Sequence, residues 1–170
     1  LDTGPILLQK EVEIGPDDTL GSLYFNHLFP MGVAAMTEAV DLVRAETAPR
    51  IEQDPSGGSY EGWCTPDDVR IDWHQDVDQI YNMIRGANPQ PGAWTTVAGK
   101  RLTVLDSSKS DNTDGDPGTV IAADASGITV AANGGSICIS RLKLQGGSKL
   151  SAAEMMEQSP LNAGDVLGVD

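Results

Sequence analysis

An acidic residue, a hydroxyl residue and a glycine stand together near the start of the chain, as Asp2, Thr3 and Gly4, and an apolar run follows. Glycine supplies the backbone angles that a tight loop needs, so this order presents a carboxylate at the edge of a strand. A carboxylate in such a loop can orient a general base and favour its protonated form. The same carboxylate can instead close an Asx turn before Gly4. The residues alone leave both interpretations open.

The other residue types that could do chemistry are sparse. His27 falls within a helical stripe and His74 follows a tryptophan, so both are expected to pack or to lie on the surface. Cys64 and Cys138 have no CxxC partner, which predicts reduced structural thiols rather than zinc ligands. The oxygen-rich segment Asp111–Asp116 lacks the terminal glutamate of a calcium loop and is interpreted as a polar hairpin loop. No metal site is predicted.

The charge of the chain argues against nucleic acid as a partner. The net charge is −14 over 170 residues. Residues 1–62 hold 3 basic and 11 acidic side chains, and residues 63–170 hold 8 and 14. Both parts repel polyanions, because nucleic-acid binding depends on Lys and Arg neutralising phosphates. No apolar run approaches the ~20 residues of a membrane-spanning helix, so no membrane segment is predicted.

The elements that must position these residues change character near residue 60. Residues 6–14 alternate loosely and predict a strand, and residues 20–46 show helical spacing. Pro30 is expected to begin a second helix at its first turn, which predicts helix, brief break and helix. Residues 47–61 are rich in Pro, Gly and Ser and therefore predict a linker and a domain boundary.

The second part of the chain predicts a short helix and then a sheet. Apolar residues share one stripe over residues 76–87, and the period changes to two from Gly92. The predicted strands are 93–97, 101–105, 118–122, 128–132 and 136–144, with a polar loop over 107–117. Ser151 and Glu154 form a capping box that opens another helix, and a turn at 162–165 leads into a last strand. Short strands at this spacing indicate a small sandwich or barrel.

Three ordered blocks, at residues 1–19, 71–94 and 149–168, together resemble the folate-dependent formyltransferase family. The block LDTGPILLQKEVEIGPDDT, residues 1–19, is similar to the end of the catalytic domain. The block IDWHQDVDQIYNMIRGANPQPGAW, residues 71–94, resembles the opening of the C-terminal domain in the methionyl-tRNA and 10-formyltetrahydrofolate branches. The block KLSAAEMMEQSPLNAGDVLG, residues 149–168, resembles the last helix and strand of that domain.

The resemblance implies an α+β fold in which the end of a Rossmann-like α/β formyltransferase domain is followed by a C-terminal OB-like β-barrel. It places the truncated catalytic domain at residues 1–47, a linker at 48–62 and the C-terminal domain at 63–170. The implied activity is transfer or hydrolysis of the formyl group of 10-formyltetrahydrofolate by a cytoplasmic enzyme, with a small-molecule folate as its partner and no metal.

The segments LFPMG, residues 28–32, and YEG, residues 60–62, look most similar to the hydrolase portion of 10-formyltetrahydrofolate dehydrogenase. That branch is therefore favoured. The alternatives are a methionyl-tRNA formyltransferase, an enzyme acting on an amino sugar nucleotide, and a non-catalytic binding or spacer barrel.

In this family an Asn, a His and an Asp form the catalytic set, and Asp2 aligns with that Asp. Thr3 and Gly4 align with the loop beside the folate pocket, where a backbone role is expected. The Asn and His have no counterpart here, and neither His27 nor His74 matches the motif. The resemblance therefore implies that these 170 residues are inactive by themselves.

Overall fold

The computed structural model describes residues 3–169, which form two compact units, with the boundary along the chain between Trp63 and Cys64. Asp2, the main sequence candidate, lies outside the described residues.

The first unit is built around one nearly continuous helical segment. It comprises α1 (Leu20–Leu23), a π-helical turn (Tyr24–Leu28) and α2 (Phe29–Arg44). Thr19 caps α1 in a capping box with Ser22, and Pro30 lies in the first turn of α2. The predicted break is wrong, since the π-helical turn accommodates the junction without ending the helix.

The strand predicted over residues 6–14 is also wrong. Only Ile6 pairs, through a backbone bridge to Ile51 with N···O distances of 2.8 and 3.0 Å. In the described part of the unit no strand lies beside residues 7–14, so alternation of side chains alone does not create a ladder there.

The second unit is an α+β structure with a six-stranded antiparallel sheet. The strands are β1 (Trp94–Val97), β2 (Lys100–Ser110), β3 (Val120–Asp124), β4 (Gly127–Ala132), β5 (Gly135–Leu144) and β6 (Lys149–Ser151). Their order is β1-β2-β5-β4-β3, and β6 pairs with β5. Two helices accompany the sheet, α3 (Val77–Ala87) and α4 (Ala152–Gln158).

Five strands were predicted at these places and are confirmed, as are both helices. The predicted polar loop is wrong in its first part, because residues 107–110 continue β2 and pair with β5. The short strand β6 was missed, since three residues are too few to show a period. The predicted last strand is a single bridge between Thr119 and Val166.

The core of the second unit lies between α3 and the sheet. Asp76 caps α3, and its carboxylate accepts a hydrogen bond from the backbone N–H of Asp78 at 2.9 Å. The stripe Val77, Ile80, Tyr81 and Ile84 is buried, as its helical spacing predicts. It packs with the buried sheet residues Leu102, Val104, Ile128, Val130, Ile137, Ile139 and Leu142.

Trp73 is anchored within this core by a hydrogen bond. Its side chain is 3% exposed, and its indole N–H donates to the hydroxyl of Thr95 at 3.0 Å. A buried indole needs such an acceptor, so the threonine fixes the ring that the IDWH block supplies.

Candidate functional site

The loop that carries the sequence candidates Thr3 and Gly4 is held by a segment far along the chain. Both residues are exposed, and the Gly4 carbonyl accepts a hydrogen bond from the side-chain amide of Gln53 at 2.7 Å. The Ile6–Ile51 bridge joins the same two segments, two residues after Gly4 and two residues before Gln53. The backbone after Asp2 therefore has a defined course, set by residues 51–53.

A cleft of about 620 Å³ opens beside this loop. It lies between Gly4–Leu8 and one side of α2, and Gln53 also lines it. The α2 side is lined by Met36 and by three small residues that leave room, Gly32, Ala35 and Ala39. The walls are largely apolar, and the loop backbone and the Gln53 amide supply polar groups. That combination suits a ligand with an apolar or planar body.

The two histidines do not belong to this cleft. His27 lies in the π-helical turn, is exposed and does not line the cleft. His74 is exposed in the second unit, where its backbone carbonyl accepts a hydrogen bond from the Asn133 amide at 2.7 Å. The structure thus gives His74 a backbone contact rather than a place among reacting groups.

An apolar stripe runs along the adjoining side of α2 and shares Met36 with the cleft. We define the stripe as Phe29, Val33, Met36, Val40 and Val43, whose exposed fractions run from 49% to 69%. Tyr24 adds aromatic contacts at the N-terminal end, with ring centroids 5.1 Å from Phe25 and 6.0 Å from Phe29. A helix with a helical-period apolar side buries that side in a folded domain.

Among the described residues, the carboxyl groups whose pKa is shifted lie in turns and helix caps. Hydrogen bonds from the Ser56 hydroxyl and N–H lower the pKa of Asp54. Thr65 lowers the pKa of Asp68 in the same way, and Ser126 that of Asp124. Each donor lies within three residues of its carboxyl group, so these shifts reflect local structure rather than catalysis.

Nothing in the described residues gathers ligands for a metal. Within residues 3–169 no group of three or more His, Cys, Asp or Glu side chains comes together. In the segment Asp111–Asp116 the Asn112 side chain instead accepts a hydrogen bond from the Asp114 N–H at 3.0 Å. Cys64 is exposed and Cys138 half-buried, and both are free thiols. None of the helices described here is long and apolar enough to cross a bilayer.

Two contacts of interest escaped sequence reasoning. Gln53 lies in the predicted linker, and its contact with Gly4 spans 49 positions, so no local pattern could reveal it. The half-buried ring of Trp94 has the Arg70 and Arg101 guanidinium carbons 5.4 and 4.5 Å from its centroid. The sequence shows the tryptophan and the two arginines, but only the three-dimensional structure shows that the guanidinium groups contact the ring.

With the fold and the loop geometry established, comparison with known proteins defines the class. Residues 64–160 match the family described as formyl transferase, C-terminal domain. That match covers more than half of the chain, and the chain belongs to this family.

The sequence is also similar to named proteins, and one of these similarities extends over both units. The chain is 45% identical over 120 residues to cytosolic 10-formyltetrahydrofolate dehydrogenase of Xenopus tropicalis, which covers 69% of this chain and 13% of the relative. It is 34% identical over 172 residues to methionyl-tRNA formyltransferase of Desulforamulus reducens, covering 100% of this chain and 54% of the relative. The chain therefore spans about half of one relative and a small part of the other.

A solved structure shares the fold. HypX from Aquifex aeolicus, crystallised in complex with tetrahydrofolic acid, superposes with a TM-score of 0.71 at 19% identity. The superposition covers 99% of this chain and 32% of HypX. The arrangement of elements described above is thus a known one, and it occurs in larger proteins.

Proposed function

We propose that this chain is the C-terminal part of an enzyme that removes or transfers the formyl group of 10-formyltetrahydrofolate. Residues 1–47 would be the end of the catalytic domain, 48–62 a linker and 63–170 the C-terminal domain. In this proposal the first part completes a Rossmann-like α/β domain and the second is an OB-like barrel. The observation that carries the proposal is the similarity to a formyltransferase over the full length of the chain.

The apolar stripe on α2 supports this division. Five apolar side chains at helical spacing stay 49% or more exposed in the first unit, which implies that further protein covers them. The formyltransferase relative is nearly twice as long as the matched region. A catalytic domain that continues beyond these residues would supply the missing cover.

Within this function Asp2 is proposed as the catalytic carboxylate. Formyl transfer passes through a tetrahedral intermediate, whose oxyanion needs a hydrogen-bond donor. An imidazole can be that donor, and a carboxylate favours its protonated form while water or an amine loses a proton. The imidazole would come from the remainder of the catalytic domain. Thr3 and Gly4 would shape the folate side of the loop through their backbone.

The tetrahydrofolate would lie along the apolar cleft beside this loop. The cleft volume of about 620 Å³ is within the range of ligand sites, and its lining offers apolar wall and a few amide groups. HypX, which shares the fold, binds tetrahydrofolic acid. In the proposed complex the reacting formyl group faces the residues that begin the loop.

Water is the proposed acceptor, as in the 10-formyltetrahydrofolate hydrolase and dehydrogenase branch. The identity to the dehydrogenase relative, 45%, exceeds the 34% to the tRNA enzyme, although over a shorter region. The excess of acidic residues, 14 against 8 basic in residues 63–170, also disfavours tRNA as acceptor.

The test uses the longer protein that contains this chain. Purified protein is incubated with 10-formyltetrahydrofolate alone, and separately with charged initiator tRNA added. Release of tetrahydrofolate without tRNA is the expected result. Formylation of methionyl-tRNA at a much higher rate than tetrahydrofolate release would show that the acceptor is tRNA and not water. Absence of formyl loss in both assays would overturn the proposed function.

A further inference from the structure

One face of the sheet in the second unit collects most of its positive charge. The register pairs Trp94 with Thr103, Thr103 with Lys143, and Lys143 with Lys149. Residues directly opposite on antiparallel strands point to the same side of the sheet, so these four form one row across β1, β2, β5 and β6.

Neighbouring positions add three more cations to that side. Arg101 and Arg141 each lie two residues from a member of the row and share its face by the strand period. Arg70 approaches through its guanidinium contact with the Trp94 ring. We define the basic face as Arg70, Trp94, Arg101, Arg141, Lys143 and Lys149. It holds five of the eight basic residues of positions 63–170, in a region with 14 acidic ones.

The two lysines of the row make an arrangement that a sheet does not favour by itself. Lys143 and Lys149 are exposed and directly opposite each other, and like charges in that position destabilise strand pairing. Among the ion pairs of the described residues, neither lysine has a carboxylate partner. Arg141 differs, since Asp106 lies 3.7 Å away and Glu154 is also nearby.

Trp94 gives the face a rigid aromatic centre. Its indole N–H donates to the Pro66 carbonyl at 2.6 Å, which fixes the ring in place. Arg101 and Arg70 lie 4.5 and 5.4 Å from the ring centroid, within the range of cation–π contact. Half-exposed aromatic rings held by a polar contact are common anchors of interfaces.

We propose that the basic face is a docking surface for a short acidic protein segment. Four strands span roughly 15 Å, which an extended peptide crosses in about five residues. A peptide of that length keeps its carboxylates over the five cations. A longer polyanion such as RNA would extend over the surrounding acidic surface and be repelled. The partner would place carboxylates over the two lysines and an apolar group on the Trp94 ring.

The experiment measures the anisotropy of a fluorescein-labelled hexapeptide, five aspartates with one phenylalanine at the third position, titrated with the full chain. The variant is Lys143→Gln/Lys149→Gln, and the matched control is Lys100→Gln/Lys109→Gln. The control removes two charges from the same unit, at Lys100, whose place on β2 faces away from Arg101, and at Lys109, which pairs with Asp78. The indole N–H signal of Trp94 in an NMR titration reports where the peptide lies.

The expected result is saturable binding. The affinity should fall about fivefold in the face variant, because two surface ion pairs between the lysines and the peptide are lost. In the control it should fall less than about twofold. The Trp94 signal is expected to shift on titration. Equal losses in both variants, or an unshifted Trp94 signal, would overturn the proposal. Tighter binding of a uridine hexanucleotide, lost in the same face variant, would overturn it in favour of RNA.

Discussion

At the residue scale, one of the family's sequence blocks supplies a core residue and another carries the proposed catalytic carboxylate. Trp73 belongs to the IDWH block and is a core residue, tied to Thr95 by a buried hydrogen bond. Asp2 belongs to the block that the proposed chemistry needs, and the described residues begin just after it. Gln53, which no motif includes, holds the Gly4 carbonyl of the same loop.

The Trp73 hydrogen bond can be tested by removing only its acceptor. Thr95→Val keeps the shape of a residue that is 1% exposed but leaves the indole N–H unpaired, so the free energy of unfolding should fall by about 1–3 kcal/mol. Urea denaturation measures the difference. Thr103→Val, on the outward face of the next strand, is the matched control and should cost much less. Equal losses in the two variants would refute this account of Trp73.

Gln53 is expected to act on turnover through the loop that it holds. In the longer protein, Gln53→Ala removes the bond to the Gly4 carbonyl and should lower kcat by about tenfold, because displacement of a reacting group by a fraction of an ångström is costly. Gln9→Ala, also in the first unit, is the control. If Gln53→Ala keeps the wild-type kcat, the hydrogen bond does not position the loop.

At the element scale, the sequence predicted what short-range patterns determine. The α3 stripe, the α4 capping box and five strands follow from periods of 3.6 and 2 and from local capping chemistry. The strand at residues 6–14 and the length of β2 depend on which segments become neighbours, and a single sequence does not show that. The apolar cleft and the basic face depend on the same long-range pairing, so neither could be predicted.

The capping box of α4 predicts a dependence of stability on pH. The N–H and the hydroxyl of Ser151 donate to Glu154 at 2.8 and 2.9 Å, and these bonds lower the pKa of that carboxyl. Its contribution to stability is complete above the ordinary glutamate pKa of about 4.3 and is lost as pH falls through the lowered value.

Glu154→Gln should therefore lose stability at neutral pH, and its difference from wild type should shrink below about pH 4. Urea denaturation as a function of pH measures it. Glu157→Gln on the same helix is the control. A difference that stays constant down to the acid limit would contradict the role of the carboxylate.

Two glycines of the second unit should respond in opposite ways to alanine. A Cβ on Gly135 would overlap the Ser110 carbonyl of the paired strand and press against Val77, so Gly135→Ala should destabilise by roughly 1–3 kcal/mol. Gly86 is exposed in the last turn of α3, and an added Cβ would meet nothing within 4 Å outside the local helix backbone, so Gly86→Ala should stabilise by roughly 0.5 kcal/mol. Thermal unfolding of both variants measures the two changes in stability. A change of the same sign in both variants would contradict the packing described.

At the scale of the whole molecule, the two units differ in how much of their apolar surface they bury. The second unit has a dense core, and its fold could be predicted in outline from the sequence. The first unit leaves the apolar stripe of α2 exposed. In the proposed function the stripe is covered by further protein of the catalytic domain, and neither the local pattern nor the two units could reveal that surface.

Met36 is 69% exposed, and a substitution there tests whether further protein covers the stripe. In this chain alone Met36→Gln should leave the free energy of unfolding almost unchanged. In the longer protein it should cost about 2 kcal/mol or more, because the side chain would be buried. Ala34→Gln, on the opposite side of α2, is the control in both contexts. An equally small effect of Met36→Gln in both proteins would show that the stripe stays open.

The most direct test of the central claim is the rate at which the longer protein releases tetrahydrofolate from 10-formyltetrahydrofolate, with and without the Asp2→Ala change. If the carboxylate supports the proton transfer, the variant should bind folate as before and lose most of its turnover, about 10²-fold or more. Wild-type turnover in a folded Asp2→Ala protein would contradict the proposed role of Asp2 and, with it, the mechanism.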